Sequence, residues 1–378
     1  MDIFVYADWF ELKGAVRMGM LSVTHVRGRE VFSFAYDQDW LNRGQAQRLD
    51  PDLQLFSGPQ YPAPDKKNFG LFLDSSPDRW GQAIMKRREA IAARLEKRKE
   101  KTFFQEDFLL GVYDQQRMGA LRFKLSEAGP FLSDNADLAA PPWTSLRELE
   151  FASLQLEKES LPDRESLKWL NMLLAPGASL GGARPKAGVT DEKGSLWIAK
   201  FPAAGDRSDM GAWEMVANEL AADAGIDVAV GQAKRFNDKQ HTYLSKRFDR
   251  IGTKRRLHFA SAMTLLGQRD GAEGLSYLDL AAFLIRNGAD PKRDLEELWR
   301  RIVFNIAVKN TDDHLRNHGF LLTAGGWSLA PAYDVNPNEQ GRGLTLNISE
   351  TDNALEFGLA LSVAKYFRVE KDAESILK

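Results

Sequence analysis

An apolar stripe at helical spacing runs straight into a cluster of short polar side chains, and this junction constrains the chain more than any other feature. Leu295, Leu298, Trp299, Ile302, Val303 and Ile306 recur every three to four residues and predict an amphipathic helix. That helix delivers the chain to Asn310-Thr311-Asp312-Asp313-His314-Leu315-Arg316-Asn317. Within it an Asp is followed five residues later by an Asn, and a further acid, Asp334, follows in Pro331-Ala332-Tyr333-Asp334-Val335. Carboxylate and amide oxygens of this kind suit a hard cation. Asp and Asn are also ordinary turn residues, so the spacing alone has many chance matches. The rest of the chain has to decide.

The 378 residues allow two or three domains with real cores. At 43% hydrophobic and 28% charged residues, the composition is that of a globular protein. A formal net charge of -2 gives no global argument for nucleic-acid binding. The absence of cysteine excludes disulfides, a catalytic thiol and thiolate metal sites. The five histidines are scattered, without the H-E-x-x-H spacing of a zinc site. No basic and apolar leader opens the chain and no apolar run is long enough to span a bilayer, so the expected location is cytoplasmic with no membrane contact.

Residues 1–125 read as a β-rich N-terminal subdomain with a helix. Alternating apolar residues over Asp2–Trp9, Lys13–Val26 and Glu30–Tyr36 predict strands. Ser76 followed by Pro77 predicts the start of a helix that runs from Arg79 to Lys101. Its dense mixed charge reads as a solvated face. Residues 126–144 turn to Gly, Pro, Ser, Asp and Asn and are expected to form a linker. Residues 145–250 hold two helical stretches, a glycine-rich segment, a hairpin turn at Asp191–Gly194, a strand ending in Lys200, and a helix over Met210–Ala224 bearing Trp213, Val216, Ala217, Leu220 and Ala221. Strands are expected at Asp227–Phe236 and His241–Phe248. Residues 251–378 read as predominantly helical. The expected class is α+β.

Read in order, these pieces match the needs of phosphoryl transfer: a cradle for phosphates, a cation to neutralise them, and a group that orients the attacking hydroxyl. Ser179-Leu180-Gly181-Gly182-Ala183-Arg184-Pro185-Lys186 is a candidate cradle, since Gly181 and Gly182 let backbone N–H groups approach anionic oxygens. It is neither G-x-x-x-x-G-K-[ST] nor G-x-G-x-x-G, and by itself it also suits a turn. Lys200 stands where kinases place the strand lysine that meets the phosphates, with Glu214, or its competitor Glu219, as a helical partner. Lys246, Arg247 and Phe248 lie where a hinge would flank an adenine through backbone groups. Asp312 would accept or orient the hydroxyl proton, and Asn317 and Asp334 would hold Mg2+. Asp313 and His314 are expected to shape the loop, His314 by bonding backbone carbonyls at the edge of the ATP site. Singly, each residue also fits a surface lysine, a buried strand or a turn. Their joint order favours kinase chemistry.

The segments Ser179–Lys186, Lys200-Phe201-Pro202, Arg247-Phe248-Asp249-Arg250, Asn310–Asn317 and Pro331–Val335 resemble the HipA family, serine/threonine kinase toxins of type II toxin–antitoxin systems. Phe72–Gly81 and Met118–Phe123 resemble that family's first subdomain. The resemblance implies a kinase-like two-lobed fold with a β-rich N-terminal subdomain and an all-helical C-terminal lobe, ATP and Mg2+ as cofactors, and Ser179 as the autophosphorylated residue. It also implies a translation-related protein substrate, an aminoacyl-tRNA synthetase in characterised members. The implied partner is a helix-turn-helix antitoxin of HipB type, with DNA contacted only through or alongside it. This chain departs from the family in Arg184-Pro185, where Gln-Glu is common, and in its short C-terminus. Two other readings were open at this point: a catalytically inactive kinase-fold corepressor, and a metal-dependent hydrolase using Asp312, Asp313 and Asp334.

Overall fold

The computed structural model describes residues 1–44, 46–157, 162–173, 182, 184–237 and 239–377. The N-terminal strands Asp2–Ala7, Val16–Val26, Arg29–Tyr36 and Leu121–Lys124 form one antiparallel sheet, with the first strand paired to the second and the fourth. Alternation buries Ile3, Val5 and Ala7 on one face. The hairpin between the second and third strands turns at Arg27 and Gly28, both at positive φ (49° and 77°), the backbone that matches strand twist in a two-residue turn.

The helix predicted from Arg79 runs over Arg79–Glu96 and stops at Lys97, which adopts φ 53°. Asp78, not Ser76, caps it. The Ser76 hydroxyl instead donates backward to the Phe72 carbonyl, and Pro77 lies ahead of the helix. The 126–144 stretch packs against its neighbours, with bridges Phe123↔Leu132 and Pro142↔Thr190.

A second antiparallel sheet contains Lys186–Thr190, Leu196–Lys200, His241–Lys246 and Gly231–Arg235, in that spatial order. Helices Leu146–Glu157 and Asp163–Leu173 pack with Arg79–Glu96 over one face, where Ile84, Leu149, Leu170, Ala187, Ala199 and Leu244 share a core. Helix Met210–Asp223 lies along the sheet. A Cβ on Gly211 would sit 2.1 Å from the His241 carbonyl, so only glycine permits this approach. The buried face of the helix is Gly211, Glu214, Ala217 and Ala221. Trp213, Val216 and Leu220, expected among its packing residues, are 42–49% exposed, because the small residues one step round the helix allow the tighter contact.

The C-terminal lobe is mainly helical rather than all-helical. Strands Phe259–Ser261, Gly319–Thr323 and Gly326–Leu329 make a small sheet inside it. A three-residue strand carries too little periodicity to be seen in sequence. The Pro291–Val308 helix buries Leu295, Leu298, Trp299, Ile302 and Ile306 as predicted. One hydrophobic cluster runs unbroken from Val5, Trp9, Phe34 and Phe72 to Tyr277, Trp299 and Phe320, so the N-terminal subdomain and the C-terminal lobe share a core.

Candidate active site

Two lysines define the centre of the site. In the ladder between Lys186–Thr190 and Leu196–Lys200, Lys186 pairs directly with Lys200. Directly opposed residues point to the same face, and like charges there repel unless anions intervene. Both side chains are buried, 1% and 7% exposed. Three carboxylates compensate them. Lys200 Nζ donates to Glu214 and, at 2.6 Å, to Asp334 Oδ1. Lys186 Nζ donates to Asp78 Oδ2 at 2.6 Å and to the Gly182 carbonyl at 2.8 Å. Burial opposes the charge on Lys200, but Asp334 and Glu214 outweigh it and hold its pKa above the ordinary lysine value. Burial alone would raise the Asp334 pKa, and Lys200 reverses that. Burial raises Glu214, with Lys200 opposing.

Asp334 sits at φ 58°, the left-handed region, although no helix ends there. That conformation costs on the order of 1 kcal/mol. It is held by Lys200 and by Asn336 Nδ2 at 3.3 Å. The preceding Tyr333 donates its hydroxyl to the Arg316 carbonyl at 2.6 Å, which ties the Asp334 segment to the Asp312 loop.

The long helix ends at Lys309 in a left-handed cap, and the chain turns into Asn310–Asn317. Asp312 points outward with 71% of its side chain exposed, and His314 Nε2 lies 3.6 Å from its Oδ1. Its pKa is raised, by the surrounding protein first and Asp334 next, while His314 and Lys200 pull it down. Asn317 Nδ2 donates to the Asp312 carbonyl at 2.6 Å, and its amide oxygen accepts no hydrogen bond among the described residues. Asp313 turns inward, accepting from the Tyr277 hydroxyl at 2.7 Å and the Thr345 N–H at 2.6 Å. It is loop architecture, as expected. The His314 ring bonds no backbone carbonyl among the described residues; it leans on Asp312 instead.

The structure therefore brings together Lys186, Lys200, Glu214 and Asp334, and holds Asp312, His314 and Asn317 in one adjoining loop. Of the other expected residues, Gly182 meets this cluster through its carbonyl, while Arg184, Lys246 and Arg247 are engaged elsewhere. Ser179, Leu180, Gly181 and Ala183 lie outside the described residues. Arg184 is engaged by Asp206, with Nη1 to Oδ1 at 3.0 Å. The Lys246 and Arg247 amides, expected near an adenine, are already paired with the carbonyls of Val230 and Leu196. The Lys246 ammonium rests 5.9 Å over Trp197. Arg247 forms a buried fork with Asp249 and reaches the Gln116 and Arg117 carbonyls, joining the sheet to the N-terminal subdomain. Phe248 lies 5.5 Å from the Tyr333 ring, on the wall beside Asp334.

Sequence reasoning missed Asp78 as a site residue and Tyr277 as the support of the loop. The Ser-Pro-Asp-Arg-Trp string marked a helix start, but nothing local shows that its acid meets a strand more than a hundred residues on.

A family model described as the HipA-like C-terminal domain matches residues 178–378. A protein of Haemophilus influenzae named "Putative kinase" is 28% identical over 128 residues, which are 32% of this chain and 37% of that protein. The "Putative kinase Y4mE" of Sinorhizobium fredii is 29% identical over 147 residues, 36% of this chain and 33% of its own length. The matched stretch thus spans about a third of either curated relative. The solved complex of the Shewanella oneidensis toxin–antitoxin system, containing HipA, HipB and operator DNA, holds a chain of similar fold. The TM-score is 0.61 at 17% identity, covering 99% of this chain and 90% of that one.

Proposed function

Because the chain belongs to the HipA-like family, we propose that it is an ATP- and magnesium-dependent protein serine/threonine kinase acting as the toxin of a toxin–antitoxin pair. The observation that carries this reading is the opposition of Lys186 and Lys200. Two buried cations side by side, with Glu214 to orient one of them, make a receptor for a polyphosphate. Asp312 accepts or orients the proton of the substrate hydroxyl, and its raised pKa and outward position suit a base that meets a protein side chain.

The oxygen donors fit a magnesium ion. Among the described residues, neither the Asn317 amide oxygen nor Asp334 Oδ2 accepts a hydrogen bond. One carboxylate and one amide, with phosphates and water completing the shell, is a donor set that Mg2+ takes. When bound, the ion supplies neutralisation of phosphate charge. The glycine-rich segment is the proposed cover for the phosphates, with two local changes. Pro185 offers no N–H, and the Arg184 guanidinium is occupied by Asp206.

Ser179 is proposed as the site of self-inactivation, since a phosphate there adds about -1.5 to -2 charge beside the incoming ATP. The proposed substrate is a translation-related protein such as an aminoacyl-tRNA synthetase, met in the cytoplasm. The proposed partner is a HipB-type helix-turn-helix antitoxin, and the fold shared with a chain of the HipA, HipB and operator DNA complex supports it. Incubation with labelled ATP and Mg2+, followed by mapping of the labelled residue, tests the reading. Label on Ser179 and on a protein of a translation extract is expected. Folded protein that transfers no phosphate to itself or to the extract would overturn it in favour of an inactive binding module.

A further inference from the structure

One of the three carboxylates at the lysine pair comes from the N-terminal subdomain. Asp78 caps the Arg79–Glu96 helix, its Oδ1 accepting from the Gly81 N–H at 2.8 Å. Capping uses that oxygen alone. The other oxygen takes the Lys186 ammonium, and both side chains are nearly closed to solvent, 1% exposed for Lys186 and 8% for Asp78. Two residues further on, the Trp80 indole N–H donates to the Lys186 carbonyl at 3.3 Å. One turn of the N-terminal subdomain thus grips Lys186 at both its side chain and its backbone. Through the bond from Lys186 Nζ to the Gly182 carbonyl, the grip extends to the glycine-rich segment.

An ammonium group carries three N–H donors. Among the described residues Asp78 and Gly182 take two of them, which leaves one for an anion in front of Lys200. A buried lysine opposite a second lysine would otherwise swing away or lose its proton. Burial does lower the Lys186 pKa, and Asp78 is the largest influence opposing that.

We propose that Asp78 is a positioning residue for the phosphates of the nucleotide: it orients Lys186 and, through it, the Gly182 end of the glycine-rich segment. The inference rests on the nucleotide-binding reading above. It makes the N-terminal subdomain a working part of the kinase site.

The test is Asp78→Asn, because Asn caps a helix as well as Asp does but carries no charge. Binding of a non-hydrolysable ATP analogue with Mg2+ is measured by calorimetry on the full chain, alone and in a Lys186→Met background. Asp78→Asn is expected to weaken binding roughly tenfold, and to add nothing once Lys186 is gone. Unchanged or tighter binding by Asp78→Asn would overturn the role, as would an equal loss in both backgrounds. Should Asp78→Asn not fold, Asp78→Ser, another uncharged cap, carries the same comparison. Wild-type protein that binds no analogue would defeat the nucleotide reading itself. Wild-type binding that Asp78→Asn leaves untouched would defeat only the role of Asp78.

Discussion

Lys186 and Lys200 face each other across two neighbouring strands, and each ammonium directly contacts its carboxylate counter-charges. A series of alternating charges runs through the pair, from Asp78 to Lys186 and from Asp334 through Lys200 to Glu214. It starts on an N-terminal helix and ends on the helix beside the second sheet. The arrangement joins three parts of the chain at the proposed phosphate site.

Lys200→Met should abolish phosphate transfer and also weaken the fold. It strands Glu214 and Asp334 as buried acids without their cation, a loss of about 3–5 kcal/mol in ion pairs of this kind. Denaturant unfolding beside a transfer assay measures both effects. Lys200→Met with wild-type stability would contradict the buried ion triad.

Asp312 and Asp334 should fail in different ways. Asp312 is outside the lysine pair, so Asp312→Ala should keep ATP–Mg2+ binding while transfer falls by about 10²–10⁴. Asp334→Ala should lose magnesium-dependent binding as well. Calorimetry and single-turnover transfer on the two variants separate them, and full activity in either folded variant would refute the assignment.

Tyr277→Phe removes the hydroxyl that supports Asp313 from inside the lobe. Asp313 Oδ2 then loses its donor in a buried position, at a cost of about 1–3 kcal/mol, while Oδ1 keeps the Thr345 N–H. The loop carrying Asp312 should loosen, lowering kcat with little change in the KM for ATP. A KM change without a kcat change would show that Asp313 serves the nucleotide instead.

Acid should destabilise the protein through two buried histidines. Burial lowers the pKa of His258 and of His318 to about 3, against an ordinary 6.5. Each is neutral when folded, and the unfolded chain takes the proton. Stability is therefore intact above about 6.5 and is lost as pH falls toward about 3, by roughly 1.4 kcal/mol per pH unit for each group. The His258 ring lies beside Trp9 and Trp327 and makes no hydrogen bond among the described residues, so His258→Phe should fit and make the loss shallower. Denaturant unfolding across this pH range would show it, and an unchanged slope would place the acid sensitivity elsewhere.

The helix before Asp312 was legible because its apolar stripe is long and regular, and the structure buries that stripe as expected. The Met210–Asp223 helix was legible as a helix but not in its orientation. Trp213, Val216 and Leu220 are its most apolar residues and face outward, because Gly211 and the alanines pack closer against the strand. The three-residue strand at Phe259–Ser261 was too short to leave a pattern. Asp78 was read only as part of a helix start, since its second partner is far away in the chain.

By itself, the sequence determined which chemical groups are available and in what order: a glycine-rich segment, a strand lysine, a helical glutamate, then Asp312, Asn317 and Asp334. These are local properties of residue type, spacing and period. Tertiary structure alone decided that Lys186 stands opposite Lys200, that Glu214 rather than Glu219 meets Lys200, and that an acid from the N-terminal subdomain completes the cluster. Strand register and the packing of distant segments set those contacts. A buried cation accepts whichever anion the fold brings within a few ångströms, and sequence order does not encode that distance.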